Sequence, residues 1–287
     1  MRGLSSVAPA APGLSIRYLE ANAIAGGETA LLELDAGTLH GLVVRGVYDR
    51  ATAARIAATL EAGDERLSLQ ARDSSDSKAV QTRTGGIPTS PSDVYPRGPD
   101  VGTYHASAPT FRALCAELFA PAPELGERCA DLFSRLAAGR PARLAQHQDG
   151  RPFGALTLRC VPNGCGFPPH CENDYAAIAV YDSLRERVRL LRKLGFFIRL
   201  QVPESGGELV LYDKTHVAGG RPFPDRPLEV VEQVPHVRIE ASAGDLVVLP
   251  SGSRYHQVTR VHGSRARWTA GGFGAFTTDG DEFWHWA

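Results

Sequence analysis

The sequence contains no run of 18 or more apolar residues, about the length a helix needs to cross a bilayer, so no membrane span is expected. The Ala- and Pro-rich stretch from Met1 to Pro12 lacks the apolar core of a signal peptide and reads as a loose terminus. Excess charge of either sign is missing too. The 31 Lys and Arg residues nearly balance 32 Asp and Glu, for a formal net charge of −1. Nucleic acid and anionic membrane are therefore not expected partners. Lysine is scarce, with only Lys78, Lys193 and Lys214, which we read as coding bias. The cysteines (Cys115, Cys129, Cys160, Cys165 and Cys171) are odd in number and never spaced C-x-x-C. That indicates neither a disulfide framework nor a zinc knuckle, and reduced thiols in a cytoplasmic protein are the expectation. No internal repeat is present.

What is there is ordinary globular composition: 43% apolar and 22% charged residues over 287 positions. The texture changes along the chain. Residues 15–34 carry no clear pattern. Leu39 to Gly46 reads as a short strand. Asp49 is placed to cap a helix from Ala51 to about Ala62, stopped by Gly63, with Ile56 and Leu60 facing inward. From about Ser68 to Ser107 the composition turns to Ser, Thr, Gly, Pro and Asp, as in a long loop or a loop with short pieces of order, serving as a lid or binding loop or simply as a surface excursion. Two amphipathic helices are expected next. Ala108 to Phe119 has Phe111, Leu114, Cys115 and Leu118 on one stripe. Pro123 to Ala138 has Cys129, Leu132, Phe133 and Leu136.

After Pro141 the pattern is β. Strands are expected over Phe153–Cys160, Ala176–Tyr181, Gly195–Val202, Glu208–Tyr212, Val237–Glu240, Asp245–Leu249, Tyr255–Val261 and Arg265–Phe276. A helix is expected over Ser183–Leu194. The fold class is thus mainly β with helices. Residues 1–140 form a helical, loop-rich part packed on a double-stranded β-helix (jelly-roll) core over 141–287, expected as one integrated domain.

The chemistry concentrates at Pro168-Pro169-His170-Cys171-Glu172-Asn173-Asp174-Tyr175. In an extended strand His170 and Glu172 point to one face, and Cys171 to the other. With 9 His and 32 acidic residues, about one such H-x-D/E pair arises by chance; the sequence holds two. The other, His147 and Asp149, sits in a turn (Gly150-Arg151-Pro152 follow) and is a poorer ligand pair. His256, in Tyr255-His256-Gln257-Val258, is the expected third ligand. Two His and one carboxylate make the facial triad of non-haem Fe(II) oxygenases. Arg265 and Arg267 follow at equal parity on the last long strand. An arginine turned into a barrel beside a metal needs an anion, and a cosubstrate carboxylate supplies one.

Several blocks carry a family resemblance. They are Gly41-Leu42-Val43-Val44-Arg45-Gly46-Val47 with its helix, Asn173-Asp174-Tyr175, Phe197 through Gly206-Gly207-Glu208-Leu209-Val210, and Tyr255-His256-Gln257-Val258-Thr259 through Gly271-Gly272-Phe273-Gly274-Ala275-Phe276. The chain resembles the iron- and 2-oxoglutarate-dependent oxygenases. More narrowly, it is similar to the carrier-independent halogenases that chlorinate free hapalindole-type alkaloids. The resemblance implies Fe(II), 2-oxoglutarate and O₂. It places the cosubstrate arginine at Arg267 in an ungapped reading, whereas prolyl-hydroxylase-like spacing favours Arg265; Arg159 is a further candidate. Phe167, Asn173 and Tyr175 are the candidate substrate-side residues, while Trp268, Trp284 and Trp286 read as structural.

The departure is at position 172. The halogenases carry a small residue there, leaving room for chloride; this chain carries Glu172. Hydroxylation of an unactivated C–H bond in a free small-molecule natural product is the implied chemistry. Desaturation, ring closure, epoxidation or halogenation, action on a peptide, and a non-enzymatic cupin-like metal site stay open at this level. Substrate identity and oligomeric state are not legible.

Overall fold

The structure is a computed structural model and describes residues 13–67, 70–72, 81–85, 101–175, 179–217 and 229–287. Among these the strands are β1 (Ile16–Glu20), β2 (Gly41–Arg45), β3 (Gln70–Arg72), β4 (Gln81–Thr84), β5 (Ala142–Leu144), β6 (Thr157–Val161), β7 (Phe167–His170) and β8 (Leu194–Gln201). The series continues with β9 (Ser205–Gly206), β10 (Leu209–Thr215), β11 (His236–Ile239), β12 (Leu246–Leu249), β13 (Arg254–Val258), β14 (Val261–His262), β15 (Arg267–Phe276) and β16 (Phe283–Trp286). The helices longer than one turn are α1 (Ala30–Ala36), α2 (Arg50–Ala62), α3 (Val101–Phe119) and α4 (Leu125–Leu136).

The architecture is a jelly roll. A large sheet runs β1-β2-β12-β8-β15-β6-β4-β3, with β16 on the far half of β15 and β5 beyond it. A four-stranded sheet runs β11-β10-β13-β7. Strand alternation sorts the side chains of the large sheet into two layers. Leu42, Val44, Leu246, Val248, Ile198, Trp268 and Ala270 join the helices' buried stripes in one core. Val43, Val247 and Leu249 point the other way and meet Leu209, Leu211 and Val258 of the small sheet in a second. Arg267, Thr269 and Gly271 share that inner face and line the cavity between the sheets.

Local chemistry explains the elements the sequence announced. Asp49 caps α2 by accepting from the Thr52 amide at 2.7 Å, and Gly63 ends it at φ 80°. In α4 the stripe Cys129, Leu132, Phe133 and Leu136 is buried. Trp284 and Trp286 are buried on β16.

Other expectations need correction. Of the two readings for residues 68–107, the described residues fit the loop with short pieces of order. Gln70–Arg72 and Gln81–Thr84 pair as an edge hairpin beside β6, and α3 begins at Val101. Its early start was hidden by Pro109, which the helix tolerates at the loss of one hydrogen bond. The Ser183–Leu194 helix is only a turn at Asp182–Arg185 and a 3₁₀ turn at Leu190–Arg192, and Leu194 already opens β8. Of the strand expected over Ala176–Tyr181, residues 176–178 lie outside the described residues and Ala179–Tyr181 is a 3₁₀ turn. The Tyr255–Val261 strand is broken after Val258, and β14 turns away to pair with β9. Residues 15–34, which carried no pattern, hold β1 and α1.

Candidate metal centre

The antiparallel ladder between β7 and β13 sets His170 directly opposite His256. Cross-strand partners project from the same face, and the two imidazole rings lie with centroids 4.4 Å apart. Each ring is oriented from behind. His170 Nδ1 donates to the Pro168 carbonyl at 2.8 Å, and His256 Nδ1 donates to the Arg254 carbonyl at 3.1 Å. A carbonyl can only accept, so Nδ1 carries the proton in both rings and Nε2 is the atom offered forward.

Glu172 completes the set. Its Oε1 lies 3.3 Å from His256 Nε2 and 3.8 Å from His170 Nε2. Its Oε2 is buried without a hydrogen-bond partner. One ligand atom from each of the three residues falls within 4.8 Å of the others, close enough to hold one metal ion. The expected partners thus meet, but strand alternation is not what aims the carboxylate. β7 ends at His170, and Glu172 opens a 3₁₀ turn, Glu172–Tyr175. The turn is held against the β12–β13 connection. The Glu172 amide donates to the Ser251 carbonyl at 3.1 Å, and the Cys171 thiol, pointing away from the site, donates to the Gly252 carbonyl at 2.9 Å.

The electrostatics suit a cation. Burial alone raises the carboxyl pKa of Glu172, but the charge and hydrogen bond of His256, with His170 and Lys193 behind, outweigh it and bring the pKa down to about 2. Burial and the neighbouring His256 push His170 down to about 4. His256 also loses solvent, yet its contact with Glu172 wins and its pKa rises. These buried donors and the unpartnered Glu172 oxygen fit a divalent metal such as iron.

Arg267 opens β15 at 3% exposure, with its guanidinium 5.1 Å over the Phe197 ring and its Nε unpartnered. Burial, then repulsion from Arg199 and Arg159, holds its pKa well below the usual arginine value. Such a cation fits an anionic ligand. Arg265 is different: it precedes the strand and is exposed, so equal parity did not bring both arginines inside. Arg159 on β6 does line the cavity, its guanidinium 5.9 Å over the Phe167 ring. Phe167 lines it too. The Asn173 amide is committed elsewhere, accepting from Lys193 Nζ and donating to the Leu191 carbonyl, each at 2.8 Å. The Tyr175 side chain lies outside the described residues. His147 and Asp149 pair with each other at 2.9 Å in their turn, with Arg151 on the same carboxylate, and take no part in the cluster.

The sequence reading missed three nearby polar groups. Arg199 is buried on β8 and donates to the Ala241 carbonyl at 2.6 Å; a charged residue inside Phe197-Ile198-Arg199-Leu200 was its signal. Lys193 is fully buried, and as one of three lysines it merited a question rather than an appeal to coding bias. Ser251, 1% exposed, lines the cavity with its hydroxyl unpartnered; nothing in the sequence set it apart.

The chain matches the profile of the family described as "Carrier-protein-independent halogenase WelO5" over residues 16–287. No curated protein matches it. Among solved structures it is similar to an N-substituted L-amino acid dioxygenase from Burkholderia ambifaria AMMD in complex with alpha-KG, at 16% identity and TM-score 0.50 over 90% of each chain. It is also similar to the non-heme alpha-ketoglutarate-dependent epimerase SnoN from nogalamycin biosynthesis, at 18% identity and TM-score 0.48, covering 86% of this chain and 85% of that one. With its profile match spanning nearly the whole chain and its His170–Glu172–His256 cluster between the sheets, the protein belongs to the carrier-protein-independent halogenase family, within the iron- and 2-oxoglutarate-dependent oxygenases.

Proposed function

We propose that the protein is a hydroxylase of this family, acting on an unactivated C–H bond of a free small molecule. One observation carries the reading: a carboxylate, Glu172, sits between the two histidines where the family resemblance implies a small residue and a halide. With its second oxygen unpartnered, it is a third protein ligand and fills the space chloride needs. Bound at these three residues, iron with 2-oxoglutarate and O₂ supplies oxidising power sufficient to break an aliphatic C–H bond.

The chain's own residues then have distinct tasks. The Nδ1–H bonds to Pro168 and Arg254 keep both Nε2 lone pairs aimed at the metal before it arrives. Arg267 anchors the far carboxylate of 2-oxoglutarate, and Arg159 adds positive charge to the same cavity. Phe167, Leu209, Leu249, Val258 and Phe273 give the cavity an apolar wall. That wall excludes water and holds the substrate's hydrocarbon skeleton in one pose, which selects the bond that reacts.

The test is anaerobic titration of the Fe(II)-loaded protein with 2-oxoglutarate, followed by the weak visible metal-to-ligand charge-transfer band. The band is expected in the parent and absent in His170→Ala. Iron uptake with no band in the parent would sink the oxygenase reading in favour of a binding protein. For the reaction type, Glu172→Gly supplied with chloride is expected to lose hydroxylation. Chlorination by the unaltered protein would refute the role given to Glu172.

A further inference from the structure

Lys193 has no exposed surface and is set immediately before β8. Burying an ammonium is costly unless other groups compensate it, so its position calls for a reason. Its surroundings form a closed ring of contacts around the Glu172 turn. Lys193 Nζ donates to Asn173 Oδ1 at 2.8 Å, and Asn173 Nδ2 donates to the Leu191 carbonyl at 2.8 Å. The Gly252 amide returns to the Lys193 carbonyl at 3.0 Å. The Gly252 and Ser251 carbonyls in turn receive the Cys171 thiol and the Glu172 amide. Gly252 is fitted to this ring, since a Cβ there would lie 2.9 Å from Lys193 Cγ and 3.0 Å from the Lys193 carbonyl oxygen. The ammonium also lies 5.8 Å from the Tyr181 ring centroid, and its charge reaches the Glu172 carboxylate.

The turn needs such a support. His170 and His256 are fixed by the β7–β13 ladder, but Glu172 lies past the end of β7. Its backbone position depends on contacts from the 190–193 and 250–252 segments. A hydrogen bond that draws Asn173 toward Lys193 fixes the residue next to the ligand, and with it the direction of the Glu172 side chain.

We infer that Lys193 is a positioning residue for the metal centre, holding the Glu172 turn through Asn173 so that the carboxylate is preorganised for the cation. The inference rests on the metal-binding reading of His170, Glu172 and His256 and extends it to residues that touch neither metal nor substrate.

The experiment is anaerobic Fe(II) binding by the full chain, for the parent, Lys193→Met, Asn173→Ala and the double variant, with melting temperatures of the metal-free proteins alongside. Each single variant is expected to weaken iron binding roughly 10- to 100-fold, the usual cost of losing a group that orients a ligand. The double variant is expected to cost little more than the worse single one, because both changes break one tether. Iron affinities within twofold of the parent in both single variants, whatever their melting temperatures, would overturn the inference and leave Lys193 a fold-stabilising residue. Asn173→Ala decides alone if Lys193→Met does not fold. A parent that takes up no iron removes the metal reading, and this inference with it; a parent that binds while the variants bind equally well removes this inference only.

Discussion

Arg267→Met should separate function from stability by moving them in opposite directions. The guanidinium is 3% exposed, its Nε has no partner, and its nearest charged influences are two other arginines. Among the described residues no carboxylate pairs with it, and the Phe197 ring is its one cation–π partner. Methionine keeps much of the apolar stem, which packs beside Gly207, and removes the charge. Replacing buried charge by apolar volume of similar size is neutral or stabilising by about 1–4 kcal/mol. At roughly 2 °C per kcal/mol for a chain of this size, the metal-free melting temperature should hold or rise by up to about 8 °C. The cosubstrate sees the reverse. Losing one side of a desolvated, hydrogen-bonded charge pair costs about 2–5 kcal/mol. At about 1.4 kcal/mol per decade, the 2-oxoglutarate Kd should rise by roughly 30- to 3,000-fold. Fe(II) affinity should stay near the parent's, since Arg267 is no ligand. The assays are thermal unfolding of the metal-free protein and anaerobic cosubstrate titration by the charge-transfer band. A lower melting temperature with unchanged cosubstrate affinity would refute the reasoning, because Arg267 would then be a structural arginine.

Further outcomes follow from the same geometry. His285 is 1% exposed with both ring nitrogens unpartnered, and burial lowers its pKa to about 4. From an unfolded value near 6.5, the folded state binds fewer protons as pH falls. Stability present above about pH 6.5 is thus lost toward pH 4, by about 3 kcal/mol in all; His285→Phe should flatten that part of the curve in denaturant melts, and an unchanged slope would contradict it. Glu124 has the opposite sign. Burial raises its pKa, so charging it costs stability as pH rises above the ordinary carboxyl range, and Glu124→Gln should raise the melting temperature at pH 7 more than at pH 4. Gly271→Ala should destabilise strongly, by about 3 kcal/mol or more, because its Cβ would meet the Phe196 carbonyl and come within 2.6 Å of Phe197 Cα, both backbone atoms. Ordinary urea stability in that variant would be the contrary result.

What the sequence could disclose depended on whether the signal was local. Asp49 and Gly63 bracket α2 because capping is decided within a turn of chain. The inward direction of Arg267 was readable from strand alternation. His256 was found from its strand context, and the ladder duly sets it opposite His170. The misses share one cause, which is support from distant residues. Leu190 to Lys193 looked helical in isolation, yet Gly252 and Phe276 claim its neighbourhood's hydrogen bonds. Glu172 reached the site from a turn held by Ser251, which no two-residue spacing can reveal. Arg265 shared parity with Arg267 but fell before the ladder began, where parity no longer binds.

The placement of the three donors also bears on how such sites change. Two of them face each other across a ladder, where a slip of either strand by one residue would turn its ring to the other face. The third stands on a turn that is tied to the rest of the fold by the main chain and by its neighbours Cys171 and Asn173, its own carboxylate meeting only the two histidines. Exchange of the carboxylate at position 172 for a smaller group would therefore leave the backbone supports of the turn and the His170–His256 pairing in place, while removing the contact that raises the His256 pKa. On the function proposed above, the side chain that sets the reaction outcome then stands apart from the framework that holds the other two donors, so one substitution could change the product without rebuilding the fold.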